Sequence, residues 1–256
     1  MAALPQSRII DPDTGYFCGT CPECSTFFSM DQARCECGYK QPLSLVMMCG
    51  ELTWHRAEAL IDQFREYEGL RLMRPYRGKN PEGLANISHV RYLYLTSYKG
   101  FSFSLMKDFS RLNYFELDYT SISDLAGVEN LPALKVLNLI ECRKLNDIGA
   151  LILVPELISL RINLCNKVTD YSPLSSLTKL KSLGIEANRL PDLLFLQEMR
   201  SLRNLWLPVE RLDDKTVPDL RRLTELRILG VPKKRWSAPL VEAVKHELPE
   251  CEIRYR

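Results

Sequence analysis

The chain lacks any run of apolar residues long enough to cross a membrane, and it contains few histidines. The longest candidate, around residues 148–153, falls far short of the ~18 residues that a membrane helix needs. The amino-terminal segment has no apolar stretch typical of a secretory signal, so we expect a cytoplasmic protein with no membrane partner. The three histidines are scattered, and no glycine-rich phosphate loop is present. These features predict a protein that is not an enzyme.

Neither sign of charge is in excess. There are 34 Lys and Arg residues against 32 Asp and Glu residues, giving a formal net charge of +2. This balance does not indicate a nucleic-acid partner. Hydrophobic residues make up 46% of the chain and charged residues 26%, which excludes a disordered or collagen-like polypeptide.

Six of the nine cysteines lie within the first 50 residues. In a cytoplasmic chain, such a cluster indicates metal binding before disulfides. Zinc takes four thiolates in a tetrahedron, and two closely spaced cysteine pairs can supply them. Because the segment contains no histidine, the pattern favours a closed structural site over a catalytic one. The predicted ligands of one structural Zn²⁺ are Cys21, Cys24, Cys35 and Cys37.

The paired cysteines resemble a zinc ribbon over residues 16–42. Two features depart from the commonest form: one residue separates the second pair instead of two, and Ser25 stands where glycine often follows the first pair. Cys18 is an alternative that would replace one of the four ligands. Residues 1–50 carry three basic and five acidic side chains, which disfavours phosphate binding. A nucleic-acid- or ribosome-associated adaptor acting through the ribbon is therefore the alternative function and not the first.

Residues 51–86 are predicted to form a bridging helix and a connector. Apolar residues recur at helical spacing from Trp54 to Tyr67, and Gly69 fits a left-handed helix stop. The single apolar stripe needs one partner surface, which the next segment supplies. The predicted organisation is a zinc-ribbon-like module at 1–50, the bridging helix and connector at 51–86, and a repeat domain at 87–256.

The repeat domain contains the pattern Leu-x-x-Leu-x-Leu seven times, at intervals of 22 to 24 residues. Alternating apolar residues predict short strands whose leucines face the core, and apolar residues at every third position predict 3₁₀ turns. Each unit is too small to bury its own core, so neighbouring units must stack. The repeats begin at Val90, Leu112, Leu134, Leu157, Leu180, Leu202 and Leu226.

Two ladders of polar residues run in phase with the strands. Small residues follow successive strands at Thr120, Cys142, Cys165 and Asn188, where they are expected to cap backbone groups. The two cysteines of this ladder are predicted to be buried and inert. An aspartate then opens each convex turn by accepting hydrogen bonds from free N–H groups. These residues are Asp124, Asp147, Asp170, Asp192 and Asp214.

The repeats resemble the leucine-rich repeat family, and their period and Asp-containing turn are similar to the bacterial internalin type. The resemblance implies an α/β solenoid with a parallel concave sheet. A helix beginning after Ser237, with an early Pro239, is predicted to cap the array. Residues 251–253 are expected to add a last edge strand. The sequence has no cell-wall sorting motif, so the surface-anchored role of internalins is not implied.

Strand positions between the leucines are expected to be exposed on the concave face. Aromatic side chains and a central arginine are the types that dominate protein–protein hot spots. We therefore expect a non-catalytic scaffold that sequesters or inhibits a protein partner, and family analogy suggests an immunity protein neutralising a toxin. The predicted contact residues are Tyr92, Tyr94, Tyr114, Glu116, Asp118, Ile140, Arg161, Asn163, Glu186 and Trp206.

Overall fold

The structure is a computed structural model. It describes residues 46–48, 69–72, 87–98, 100–187, 190, 192–207, 220–231 and 238–255. The predicted zinc ligands and almost all of the predicted bridging helix lie outside these residues.

The described residues form one sheet of ten strands whose spatial order equals their order in the chain. Every neighbouring pair is parallel. The seven strands predicted from the repeats are present as β3 to β9, and the predicted edge strand is β10. The strands are β1 Val46–Met48, β2 Gly69–Leu72, β3 Tyr92–Thr96, β4 Tyr114–Asp118, β5 Val136–Ile140, β6 Ser159–Asn163, β7 Ser182–Glu186, β8 Asn204–Trp206, β9 Ile228–Val231 and β10 Glu252–Tyr255.

The sheet begins earlier in the chain than the repeat pattern predicts. Strand β1 falls within the segment assigned to the ribbon module, and β2 falls within the predicted connector. Gly69, predicted as a helix stop, is the first residue of β2. The register aligns Met47 with Leu70 and Leu70 with Leu93, so these residues continue the inner leucine column at the same repeat length.

Five 3₁₀ segments lie on the opposite side of the solenoid from the concave sheet face, as the apolar period of three predicts. Ladder aspartates open three of them: the Asp147 Oδ1 atom accepts from the Gly149 N–H at 2.7 Å, and the Asp170 and Asp192 Oδ1 atoms accept from the Ser172 and Leu194 N–H groups at 2.9 Å. The first segment is instead capped by Ser102, whose side chain accepts from the Ser104 N–H. Asp214 lies outside the described residues. The segments are Phe103–Met106, Val128–Asn130, Gly149–Leu153, Ser172–Ser176 and Leu194–Glu198.

A continuous hydrophobic core lies between the sheet and the 3₁₀ segments, and it extends from Ile87 to Cys251. Helix α1, Ala238–Glu247, follows β9 and precedes β10. Its Val244 and the adjacent Leu248 belong to that core. Within the described part of the chain, the helices are too short or too polar to cross a bilayer.

The chain leaves four successive strands through a left-handed residue that is not glycine. Such a conformation costs roughly 1–2 kcal/mol for an L-residue. A repeated hydrogen bond holds it: the Tyr119 N–H donates to the Ile140 carbonyl at 3.0 Å, and the Leu164 N–H donates to the Glu186 carbonyl at 2.7 Å. These left-handed residues, with φ between 48° and 56°, are Ser97, Tyr119, Glu141 and Leu164.

Candidate protein-binding surface

Parallel, in-register pairing stacks the predicted contact residues in columns across the concave face. Tyr92, at the head of the first column, aligns with Tyr114. The third column is Asp118, Ile140, Asn163 and Glu186, and its side chains are partly exposed. The middle column runs through Tyr94, Glu116, Asn138, Arg161, Gly184, Trp206 and Gly230.

The predicted exposure is wrong for most of the first two columns. Tyr114 is 0% exposed, Glu116 is 5% exposed and Tyr94 is 6% exposed. Neither tyrosine belongs to the hydrophobic core cluster, so both are buried on the other face of the sheet. The remaining buried concave residues are Val136, Asn138, Ser159, Ser182, Gly184, Asn204, Ile228 and Gly230.

Hydrogen bonds between neighbouring strands explain much of this burial. The Asn138 Nδ2 atom donates to the Tyr114 Oη atom at 3.0 Å and to the Glu116 Oε2 atom at 2.9 Å. The Tyr114 hydroxyl donates to Glu116 within the same strand. The Tyr94 hydroxyl donates to the Asp118 Oδ2 atom at 2.8 Å. Because these polar groups satisfy one another, they can be buried without losing their hydrogen bonds.

Tyr114 is held as a neutral donor within this network. Its burial raises its pKa well above the usual value, and the neighbouring Glu116 carboxylate acts in the same direction. Arg161 and Asn138 oppose the shift but do not reverse it. The phenol therefore keeps its proton and remains a hydrogen-bond donor in the physiological pH range.

Arg161 and Trp206 are the large side chains of the middle column that remain partly exposed. The Trp206 ring lies flat against the backbone of β9: a Cβ atom at Gly230 would lie 1.9 Å from the Trp206 Cε3 atom. Gly184 lies between the two side chains, where an added Cβ atom would be 3.6 Å from the Arg161 Cγ atom and 3.9 Å from the Trp206 Cβ atom. Glycine is thus required beneath the indole at 230, whereas 184 has room for a methyl group.

A second exposed group lies where β4 and β5 end, at turn positions that the sequence reasoning did not select. The Tyr119 hydroxyl donates to Glu141, and the Arg143 Nη2 atom donates to the Glu141 Oε2 atom at 2.7 Å. The Arg143 Cζ atom lies 5.9 Å from the centroid of the Tyr119 ring. The hydrogen bonds from Tyr119 and Arg143 lower the pKa of Glu141. The sequence feature that could have indicated this exposed group is a tyrosine, Tyr119, at a turn position.

The ladder cysteines are buried, as predicted. The Cys142 Sγ atom lies 3.2 Å from the Thr120 Oγ1 atom, and the Cys165 thiol donates to the Asn163 carbonyl at 3.5 Å. The hydrogen bond between Cys165 and Cys142 and the burial of the Cys165 thiol both raise the pKa of Cys165. The buried, protonated Cys165 thiol is therefore a packing group and a weak hydrogen-bond donor.

The part of the chain that the structure describes contains no group of three or more His, Cys, Asp or Glu side chains arranged to hold a metal ion. The four predicted zinc ligands and Cys18 lie outside that part.

No protein-family model matches the chain, and no curated protein matches its sequence. Among solved structures, the fold is similar to internalin InlF from Listeria monocytogenes, with a TM-score of 0.57, 20% identity and coverage of 77% of this chain and 58% of that one. It is also similar to internalin C2 from the same species, with a TM-score of 0.58, 19% identity and coverage of 77% and 83%. The chain thus spans little more than half of InlF. Together with the stacked parallel strands, these similarities show that the chain has a leucine-rich repeat fold.

Proposed function

We propose that the chain is a non-catalytic protein-binding scaffold that sequesters or inhibits a protein partner through its concave face. The observation that carries this proposal is the placement of Trp206. Its indole is partly exposed, yet it is held flat on Gly230 beside Arg161. Tryptophan and arginine are the residue types most enriched at binding hot spots.

The surroundings of this pair support the proposal because they reduce the cost of association. The neighbouring concave residues are buried, and Asn138 among them is hydrogen-bonded to Glu116, so few side chains there lose rotamer freedom when a partner binds. The third column borders the pair with acidic, amide and apolar side chains, which can supply the polar rim of an interface.

The narrower form of the proposal is an immunity protein whose partner is a toxin. Its support is the association of a repeat-built binding surface with a sequence that carries no recognisable catalytic motif. A toxin gene beside the gene for this chain would favour it. Co-purification of RNA with the full chain would instead favour the adaptor function.

The test is capture of a partner by the purified full-length chain from its native host, followed by affinity measurement with variants. Trp206→Ala and Arg161→Ala should each weaken binding by about 2 kcal/mol or more, the scale of a hot-spot truncation. Gly230→Ala should weaken binding by displacing the indole without removing it. Gly184→Ala is the matched control and should bind nearly as wild type, because its added methyl group has room.

Two results would contradict the proposal. One is a captured partner whose affinity is the same for wild type and for all three variants that alter Trp206 or Arg161. The other is a partner that is lost equally with Gly184→Ala and Gly230→Ala, since that would indicate a general disturbance of the sheet. Thermal melting of each variant separates loss of contact from loss of fold.

We further propose that Cys21, Cys24, Cys35 and Cys37 hold one structural Zn²⁺. Four thiolates are the donor set that closed zinc sites use. Elemental analysis of the purified chain should find about one equivalent of zinc. Cys24→Ser should reduce the zinc content, and Cys18→Ser is the control that distinguishes the alternative ligand. A metal-free protein in which residues 1–50 resist proteolysis as in the zinc-loaded one would contradict this proposal.

A further inference from the structure

The sheet ends at β10, a strand that has a described neighbour on one side only, β9. The Glu252 N–H donates to the Arg227 carbonyl at 2.7 Å. Because successive residues of a strand direct their N–H and C=O groups to opposite sides, Ile253 and Tyr255 direct theirs away from β9. Such an edge can accept a further strand through main-chain hydrogen bonds.

The side of β10 that faces the core carries the last residues of two apolar columns. Ile253 aligns with Leu229 and packs, partly buried, against the core. Tyr255 aligns with Val231 and is 52% exposed, whereas Val231, one strand further inward, is 1% exposed. A further strand beside β10 would remove this apolar surface from water, as neighbouring repeats do for one another.

The concave side of β10 carries one charge of each sign. Glu252 aligns with Ile228 and Arg254 aligns with Gly230, so both continue columns of the concave face. The Arg254 Nη2 atom donates to the Glu252 Oε2 atom at 2.7 Å. Charges on an edge strand usually oppose pairing with another strand. Here the two signs alternate, so a strand with the same charges in reverse order would place an opposite charge against each of them.

A second copy of β10, running antiparallel, is such a strand. In antiparallel pairing, residues whose backbone groups point toward the partner strand lie opposite one another. With Ile253 opposite Ile253 of the second copy, Glu252 lies opposite Arg254 on both sides of the pair. A shift by two residues sets Glu252 against Glu252 or Arg254 against Arg254, and like charges directly opposite are destabilising. Charge therefore selects one register.

We propose that β10 pairs with β10 of a second copy of this chain, antiparallel, with the two Ile253 residues opposite each other at a two-fold axis. Such a contact uses the same surface on both copies and closes at a dimer. Because the axis is perpendicular to the sheet, the two concave faces lie on the same side. Trp206 lies two strands from β10, so the two indoles lie about 24 Å apart, at about 4.8 Å per strand. The proposal is independent of the protein-binding function above.

The first test is sedimentation velocity of the purified full-length chain at concentrations from about 1 µM to about 1 mM, where a reversible dimer should form. Glu252→Arg and Arg254→Glu should each weaken the dimer about tenfold or more, because each sets like charges opposite one another in the selected register. An equimolar mixture of the two variants should dimerise as wild type, since opposite charges then meet again.

The matched control is the pair formed by Glu141 and Arg143 in the interior of the array. These residues are also two positions apart, and their side chains are also joined at 2.7 Å. Glu141→Arg and Arg143→Glu change the charge by the same amounts away from β10, so both variants should dimerise as wild type. Thermal melting of every variant shows whether it is folded.

A second measurement needs no substitution and therefore decides the matter even if a variant fails to fold. Amide hydrogen exchange of the wild-type chain, followed residue by residue by NMR, should slow at Ile253 and Tyr255 as the protein concentration rises, because the dimer pairs their N–H groups. The Glu252 N–H is already bonded to the Arg227 carbonyl, so its exchange should depend much less on concentration.

Several outcomes would overturn the pairing of β10 with a second copy. These are a monomer at every concentration, a dimer that both single β10 variants leave unchanged, or a mixture of folded variants that stays monomeric. Open polymers in place of a dimer would indicate head-to-tail contacts and also contradict it, as would exchange at Ile253 that does not depend on concentration. All of these results are obtained without a captured partner, so the scaffold function is tested separately.

Discussion

Both faces of the sheet contain buried side chains, but the two sets are buried by different means. The face toward the 3₁₀ segments carries leucine columns in continuous apolar contact. The concave face buries Tyr114, Glu116 and Asn138 in a hydrogen-bonded group outside that core. On the first face, the change in stability caused by a substitution should depend on the apolar area that is lost. On the second, it should depend on whether each polar group keeps its hydrogen-bond partner. Burial alone therefore does not identify a core.

The largest loss of stability is expected from substitutions on the apolar face of the sheet. Leu160→Ala or Leu183→Ala should lower the free energy of unfolding by ~2–5 kcal/mol, because each leaves a cavity beneath the sheet. Urea denaturation of the purified variants measures this change. Leu194→Ala, at an exposed position, is the control and should change stability little. Equal losses at Leu160 and Leu194 would contradict the assignment of the core.

On the concave face, Asn138→Leu should destabilise the chain although it preserves size and increases apolarity. It removes both hydrogen bonds from the amide and leaves the Glu116 carboxylate with one fewer donor, at a cost of about 1–3 kcal/mol. The same denaturation measurement applies, with the exposed Asn146→Leu as the matched control. A stabilised Asn138→Leu protein would show that this face, too, behaves as an apolar core.

The ladder cysteines should give a smaller effect, because the substitution keeps a hydrogen-bonding atom at a buried position. Cys142→Ser and Cys165→Ser are each expected to cost ~1–2 kcal/mol of stability. Partner affinity should not change. If a folded Cys165→Ser protein lost function completely, the thiol would have a chemical role that its burial and raised pKa argue against.

The smallest effect is expected at the exposed aspartate caps. Hydrogen bonds from the side chain and backbone of Ser172 hold the pKa of Asp170 below its usual value. A lowered pKa means that this stabilisation is fully present above the unfolded value of about 3.9 and is lost as pH falls through the folded value. The stability difference between wild type and Asp170→Asn should therefore shrink on acidification, as measured by thermal melts across that range. A difference that grows on acidification would contradict the cap.

The repeating part of the fold was predictable because its signals are local and periodic. The leucine columns, the 3₁₀ turns and the caps at Asp147 and Asp170 each follow from spacing within one repeat. Strands β1 and β2 were not predicted, since Leu70 and Leu72 keep the strand alternation without the aspartate turn that marks five of the seven predicted repeats. Their membership in the sheet depends on stacking against β3.

The candidate site was less predictable because it depends on which residues face one another across strands. Placing Tyr94, Glu116, Arg161 and Trp206 on the concave face required only the period, and the register agrees. Their exposure depends on cross-strand partners such as Asn138 and on the space above Gly230. The left-handed conformation of Leu164 could not be predicted, because the position holds neither glycine nor asparagine.

Chain order and spatial order coincide throughout the described sheet, and this order determines the sequence in which the strands unfold. Each strand needs only its sequence neighbours, so the array behaves as a linear stack in which opening starts at the ends and moves inward. The Tyr114–Asn138 group and Arg161 lie on β4 to β6 and Trp206 lies on β8, all in the interior of that stack. Local unfolding of β1 or β10 therefore leaves the interior strands paired. The surface proposed to bind a partner stays folded while the terminal strands unfold and refold.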